Sequence, residues 1–321
     1  MTGINISPLT REWITRVGLS DVVSPIEKSD RFLFERFFMS DNDTCRYENS
    51  WPFIMQFMGR SAYKYYDGQT LMAIGLDHVD VQTVTLVRPM GVDAHIKAAR
   101  LASQFINKSG CQSVIVRYLN SVEYNMFLQA GFVDRGYKYP QPICYIPEML
   151  ELRSGKWSKL RLRLNRFRSH FDYDYLDLTP KTIHLAISVC RAWQRTYKKR
   201  YGDTGVRPPI INHYVWLFSY IADMVDNRHI YGLIIIVNGL PSAVCIASSV
   251  SSQCLAIYAN LSNVDIAGLP EFLIYELGRI VHEKGYRMLN LGHSDFEGLH
   301  RFKMKFNPIK LLDTFSVQYQ N

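Results

Sequence analysis

Between Ile230 and Asn260 the chain reads as three apolar runs, IYGLIIIVNG, PSAVCIASSV and QCLAIYAN, each about one strand long. The Asn-Gly-Leu-Pro between the first two is a hairpin signal. The period then changes. In GLPEFLIYELGRIVHEKG apolar residues recur every three or four positions, which predicts a long amphipathic helix closed by Gly285. YRMLNLG returns to strand character, and KLLDTFSVQY finishes the chain. The first half follows a similar scheme. YENSWPFIMQFMGR and TLMAIGL read as strands, and VQTVTLVRPMG as a strand entering a turn. VDAHIKAARLASQFINKSG is a helix with Asp93 as its cap and Gly110 as its end. CQSVIVRYL is a strand, SVEYNMFLQAG a helix, and FVDRGYKYPQPICYI a closing pair of strands. A helix is predicted over 182–201, then a loop, GDTGVRPPI, and a further helix, INHYVWLFSYIADMVD. Strand, helix, strand, helix and strand thus occur in each half without a residue-level repeat. The pattern predicts an α/β (α+β) chain of two units, 1–150 and 151–321, each a mixed sheet flanked by helices.

Composition agrees with two packed units: 321 residues, 47% hydrophobic and 13% aromatic, are enough for two cores. The longest apolar run is too short to span a bilayer, and MTGINISPLTREW has no signal-peptide character, so no stable membrane insertion and a cytoplasmic location are expected. Six scattered cysteines without a Cys-x-x-Cys or a clustered histidine predict neither a disulfide framework nor a metal site. Oligomeric state leaves no mark in the sequence.

Charge divides unevenly. Residues 1–150 hold 15 basic and 15 acidic side chains, leaving 22 basic and 14 acidic for the remainder, so the net +8 belongs to the second half. Seven cations and no acid occupy Arg153 to Arg168, namely Arg153, Lys156, Lys159, Arg161, Arg163, Arg166 and Arg168, interleaved with Trp157 and leucines. Arg195, Lys198, Lys199 and Arg200 form a second cluster. One reading is a solvated helix face or edge strand whose aliphatic stems cover apolar surface. The other is an anion-binding face, with cations on phosphates and Trp157 stacked on an unpaired base. The absence of an acid inside the run favours the second.

Near the end, NLGHSDFEGLHRFKMKFNP sets two acids and several cations around large apolar residues. That segment, together with SGKWSKLRLRLNRFRSHFDYDYLDL about 120 residues earlier, resembles the C-terminal catalytic domain of phosphatidylglycerol lysyltransferases. YNMFLQAGF also resembles the helix-to-strand element of GNAT acyltransferases. The terminal motif is matched by Asn290, Gly292, Asp295, Gly298, Leu299, Lys303, Phe306 and Pro308, whereas His300 stands where the family has arginine, with Arg301 beside it. The resemblance implies two tandem GNAT-like units, transfer of an amino acid from aminoacyl-tRNA to an amine or hydroxyl of a small molecule, peptide or lipid, and distant kinship with Fem-type transferases. No cofactor is implied.

On that basis Asp295 is a candidate to orient the donor's ammonium group or take a proton, and Lys303 or Arg301 to meet the oxyanion or a phosphate, with His300 alongside. Tyr258, Asn260, Asn290, Gly292 and Gly298 are candidate substrate contacts. The alternative for Asp295 and Lys303 is a structural ion pair, and for Tyr258 and Asn260 ordinary strand-end positions. His293-Ser294-Asp295 is no catalytic triad, because neighbours on one turn cannot aim at one another. An acyl-CoA or acyl-carrier-protein transferase is the competing function. It is disfavoured by YANLSNVDIAGLPEF, which has one glycine and an acid where a pyrophosphate cradle belongs. A third reading is a non-catalytic protein that holds nucleic acid or anionic lipid.

Overall fold

The computed structural model describes residues 8–40, 45–58, 62–76, 82–137, 139–201, 214, 217, 218, 220, 221, 224, 230–294 and 296–320. The expected loop GDTGVRPPI, most of the helix after it, and Asp295 lie outside these residues. Two compact units divide the chain: one within Met1–Asn42, Glu48–Pro140 and Leu312–Asn321, the other within Asp43–Tyr47 and Gln141–Leu311.

The first unit contains helices α1 (Pro8–Val17), α2 (Arg31–Phe38), α3 (Trp51–Met58), α4 (Ala94–Ser109) and α5 (Ser121–Gln129). Its strands are β1 (Val23–Pro25), β2 (Tyr63–Tyr66), β3 (Thr70–Leu76), β4 (Thr83–Gly91), β5 (Ser113–Leu119) and β6 (Val133–Tyr137), joined by β14 (Phe315–Tyr319). Among the described residues they form one sheet in the order β1-β2-β3-β4-β5-β14-β6, antiparallel except for β4 beside β5. Ala98, Leu101, Ala102 and Phe105, at helical spacing on α4, bury against Met72, Ile74, Leu86, Val114 and Val116 of the sheet. Asn120 and Glu123 cap α5 reciprocally, the side chain of each bonding the other's backbone N–H at 2.8 Å.

The second unit holds β7 (Gln141–Tyr145), α6 (Ile146–Glu151), α7 (Ser158–His170), β8 (Tyr173–Asp177), α8 (Ile183–Tyr201), β9 (Ile230–Val237), β10 (Leu240–Ser249) and β11 (Cys254–Ser262). It continues with α9 (Leu269–Glu283), β12 (Met288–Asn290), α10 (Glu297–Met304) and β13 (Lys310–Leu312). The sheet order is β13-β7-β12-β11-β10-β9-β8, with β11 and β12 parallel. Leu160, Leu164 and Phe167 of α7 and Leu269, Phe272, Leu273 and Leu277 of α9 cover one face, over Leu233, Ile235, Cys245 and Ile257.

Each sheet is completed by a strand from elsewhere in the chain. The strand after β6 does not pair with it; β7 lies beside β12, and the C-terminal β14 lies between β5 and β6. FVDRGYKYPQPICYI is therefore two strands in two sheets, not a closing pair. The expected division at 150/151 cuts the chain at one place, whereas the units alternate along it. Two local expectations also change. WPFIMQFM is a helix, not a strand: Pro52 suits a first turn, Ser50 Oγ accepts from Phe53 N at 3.3 Å, and Trp51, Phe53, Ile54 and Met55 are all buried. Asp93 precedes α4 in a left-handed conformation (φ 53°) and makes no side-chain cap bond.

Candidate functional site

β11 and β12 run in parallel for only three residue pairs, Cys254 to Ala256 against Met288 to Asn290. β11 then continues to Ser262 beside β10 alone, and Tyr258 is an extra residue there, since Ala247 faces Ile257 and Ile246 faces Ala259. A splay of this kind frees backbone on one edge of a central strand.

Residues 45–47 lie at this splay. Tyr258 Oη donates to Tyr47 O at 2.8 Å, and their rings are 4.5 Å apart. Asn290, fully buried, donates from Nδ2 to Cys45 O and to Gln141 Oε1, both at 2.7 Å, and accepts from Gly292 N at 2.7 Å. Gln141 Oε1 also accepts from Tyr47 N at 3.0 Å. Asn290 and the Tyr258 hydroxyl, expected to contact substrate, thus hold a distant piece of backbone. Gly292 is a conformational requirement (φ 73°): a Cβ there would lie 2.9 Å from Ile257 O and 3.0 Å from the Tyr47 ring. Tyr47 and Gln141 were not legible in the sequence. They sit 211 and 149 residues from the Tyr258 and Asn290 they serve, and nothing local marks them.

After Gly292 the chain passes His293 and Ser294 into α10. The His293 ring lies 5.1 Å from Tyr47, edge to face, with its Nε2 3.4 Å from Gln141 Nε2. Lys303 is buried, 7% exposed, and its Nζ donates to Gly292 O at 2.9 Å and to His293 O. That ammonium shapes the segment carrying the motif, and in this state is directed at backbone carbonyls. Arg301 is exposed and pairs with Glu297 at 3.4 Å along the helix surface, while His300 is half-buried. Gly298 is exposed, with no left-handed φ, and a Cβ there would meet only the Phe296 ring at 3.3 Å. Asn260 Oδ1 and Ser294 Oγ are each buried with no hydrogen-bond partner among the described residues.

The basic run forms α7, and much of its charge is neutralised. Arg163 Nη1 lies 3.2 Å from Glu271 and Arg168 Nη2 3.3 Å from Glu276, both carboxylates buried on α9. Lys305 and Arg279 add to the same carboxylates at 2.9 and 2.8 Å. Burial opposes the charge of Arg168, but hydrogen bonds with Tyr275 and Glu276 outweigh it and raise its pKa. Lys156 pairs with Glu148 at 2.6 Å, Arg153 lies 3.7 Å from Glu151, and Arg161 donates to Leu152 O. Trp157 is 3% exposed within the core, so its ring offers no face for stacking: the position immediately precedes α7, and Leu160 and Leu164 of that helix are buried in the same core. Lys159 and Arg166 flank the 69%-exposed Leu162 and make no ion pair among the described residues. Arg195 and Lys199 are exposed on α8, and the side chains of Lys198 and Arg200 lie outside the description.

The start of α9 is closed. A Cβ on Gly268 would lie 2.6 Å from Arg163 O, so backbone of α7 sits on the helix N-terminus, and Glu271 occupies the first turn. Burial raises the Cys144, Cys190 and Cys245 thiols, which keeps them protonated. Among the described residues there is no group of acids, histidines and cysteines to hold a metal, and no helix long and apolar enough to cross a membrane.

Splayed parallel strands, a bulged central strand and a following helix in each unit define a tandem GNAT-like fold. Solved structures share it. A conserved protein of unknown function from Bacteroides thetaiotaomicron VPI-5482 superposes with a TM-score of 0.74 at 17% identity, over 93% of this chain and 99% of that one. The structure of L-PGS from Bacillus licheniformis gives 0.63 at 16% identity, over 92% and 93%. FemX gives 0.60 at 12% identity, over 93% and 97%. In sequence, residues 44–318 match the family described as phosphatidylglycerol lysyltransferase, C-terminal, and the chain belongs to that family. No curated protein matches it in sequence.

Proposed function

We propose that this protein is an aminoacyltransferase that takes an amino acid from aminoacyl-tRNA and passes it to an amine or hydroxyl of a small molecule, peptide or lipid. Family membership supports transferase chemistry. The observation that carries the choice of donor is the closed start of α9. A CoA pyrophosphate needs open N–H groups at a helix N-terminus and no anion beside them. Here Arg163 O abuts Gly268, and the buried Glu271 carboxylate stands in the first turn.

An aminoacyl ester is already activated. The acceptor's nitrogen or oxygen forms a bond to the carbonyl carbon, the bond to the ribose oxygen breaks, and the acceptor's proton leaves to a base while the ribose oxygen gains one. The protein supplies orientation, the base and stabilisation of the oxyanion. Asp295 is the proposed base. Lys303 fixes the backbone two and three residues before Asp295 in the chain by holding the His293 and Gly292 carbonyls. Lys159, Arg166, Arg195 and Lys199 are the proposed contacts to tRNA phosphates, and Arg301 and His300 border the reacting end.

The test is a transfer assay with each radiolabelled aminoacyl-tRNA in turn and cell extract as acceptor. Transfer is expected for at least one, abolished by ribonuclease and falling steeply with salt. Transfer that survives both treatments, or thermal stabilisation by CoA, overturns the reading.

A further inference from the structure

A hydrogen-bond network that ends on backbone groups has a fixed polarity, because a peptide N–H only donates and a carbonyl only accepts. One such network in the second unit runs through two side-chain amides to a histidine. Asn290 meets Gly292 N at 2.7 Å, so the atom there is its oxygen, and it meets Cys45 O at 2.7 Å, so the atom there is its nitrogen. Asn290 Nδ2 gives its second hydrogen to Gln141 at 2.7 Å, and Tyr47 N donates to the same Gln141 atom at 3.0 Å. That atom is therefore Oε1, and the other end of the Gln141 amide is Nε2, which carries hydrogens and accepts nothing. Gln141 is 1% exposed and Asn290 fully buried, so water does not replace these partners. Gln141 Nε2 lies 3.4 Å from His293 Nε2. Two N–H groups cannot bond each other, so the ring nitrogen in this contact is the one with the lone pair. A neutral imidazole has one nitrogen of each kind, which leaves the proton of His293 on Nδ1.

We infer that Gln141 is a positioning residue that holds His293 as its Nδ1–H tautomer with the Nε2 lone pair occupied, so that this histidine donates a hydrogen bond and does not take the acceptor's proton. For its bearing on the reaction this rests on the proposed aminoacyl transfer, and it goes further by deciding between two rivals for the base. His293 stands two residues before Asp295, and histidine is the side chain most often used for such proton transfers. A histidine base presents a free lone pair to the proton it removes, while an acceptor holds the N–H on its other side. Here the partner at Nε2 is a donor. The ring packs edge to face on Tyr47, whose own N–H is one of the two donors that orient Gln141. The stretch of backbone at 45–47 thus sets both the place of the ring and the position of its proton.

The test is nitrogen NMR of the protein labelled in its histidine rings, where protonated and unprotonated ring nitrogens resonate far apart. Spectra are taken at about pH 8.5, well above the ordinary histidine pKa. The chain has nine histidines, and the ring signals that vanish in His293→Asn identify the one in question. In wild type its Nδ1 is expected with a proton and its Nε2 without one. Gln141→Glu keeps one oxygen for Tyr47 N and Asn290 Nδ2 and sets a second oxygen, an acceptor, against the ring. A proton should then appear on His293 Nε2, a change that loss of packing alone does not produce. Should the buried carboxylate keep Gln141→Glu from folding, the wild-type spectrum decides by itself. The inference is overturned if wild-type Nε2 carries the proton, or if folded Gln141→Glu leaves it bare. The transfer reading is judged separately. Wild type that transfers from aminoacyl-tRNA with His293 protonated at Nε2 keeps the reading and removes the inference. The Nδ1–H tautomer without transfer from any aminoacyl-tRNA does the reverse.

Discussion

Both units contain one pair of parallel strands that part, and they treat the parting differently. In the first unit β4 and β5 pair from Thr83 to Val87 and from Ser113 to Arg117, and then Arg88 (φ 52°) and Tyr118 (φ 68°) turn left-handed. The Arg88 side chain is 2% exposed and is bonded through Nε and Nη2 to Asn49 Oδ1 at 3.2 and 2.9 Å and through Nη1 to Glu123 at 2.8 Å. Glu123 is the same carboxylate that caps α5. In the second unit the backbone of 45–47 is held at the parting by Tyr258 and Asn290. One splay is fastened by a buried arginine paired with a part-buried glutamate, the other by hydrogen bonds to a distant stretch of backbone, and in the second unit Asn260 Oδ1 and Ser294 Oγ are buried without partners among the described residues. A chain that needed both only for stability would have satisfied both, because polar groups without partners weaken a fold.

The largest effect should come from breaking the fastened side. Arg88→Met takes three hydrogen bonds from Asn49 and Glu123, and at about 1.5 kcal/mol for each bond involving a charged group the loss is about 4 kcal/mol. Denaturant unfolding should register that loss, and wild-type stability in this variant would erase the contrast. Next is Asn290→Ala, which takes one hydrogen bond each from Cys45 O, Gln141 Oε1 and Gly292 N. About 2–4 kcal/mol of stability should go with them, against little or none for Ser294→Ala in the same unit. The smallest effect concerns a turn of the first unit. Burial alone would raise the Asp67 pKa, but hydrogen bonds from Lys97 and from the Gln69 and Thr70 amides bring it down to about 2. A depressed carboxyl pKa stabilises the fold above the unfolded value, and that contribution is lost as pH falls from about 4 to about 2. Asp67→Asn should therefore lower the melting temperature by about 2–4 °C at pH 7, with the difference closing near pH 2.

Periodicity carried most of the strands and helices. α4 and α9 repeat apolar residues every three or four positions, and β9 to β11 are short apolar runs between turn residues, patterns that follow from local geometry. WPFIMQFM failed because an unbroken apolar run has no period to read. Of the terminal motif, Gly292 could be read as a turn glycine. That Asn290 and Lys303 spend their polar groups on Cys45, Gln141, Gly292 and His293 could not, because two of those partners lie about 150 residues or more away.

The basic run separates the two kinds of information. The sequence by itself determined that Arg153 to Arg168 contains no acid and that the second half carries the net positive charge. Only the tertiary structure decided that Glu271 and Glu276, about 108 residues further on, would neutralise Arg163 and Arg168, leaving Lys159 and Arg166 facing solvent. Period is set by bonds between neighbours in the chain, whereas charge pairing is set by distance in space, and a buried carboxylate recruits its cations from whichever element packs beside it.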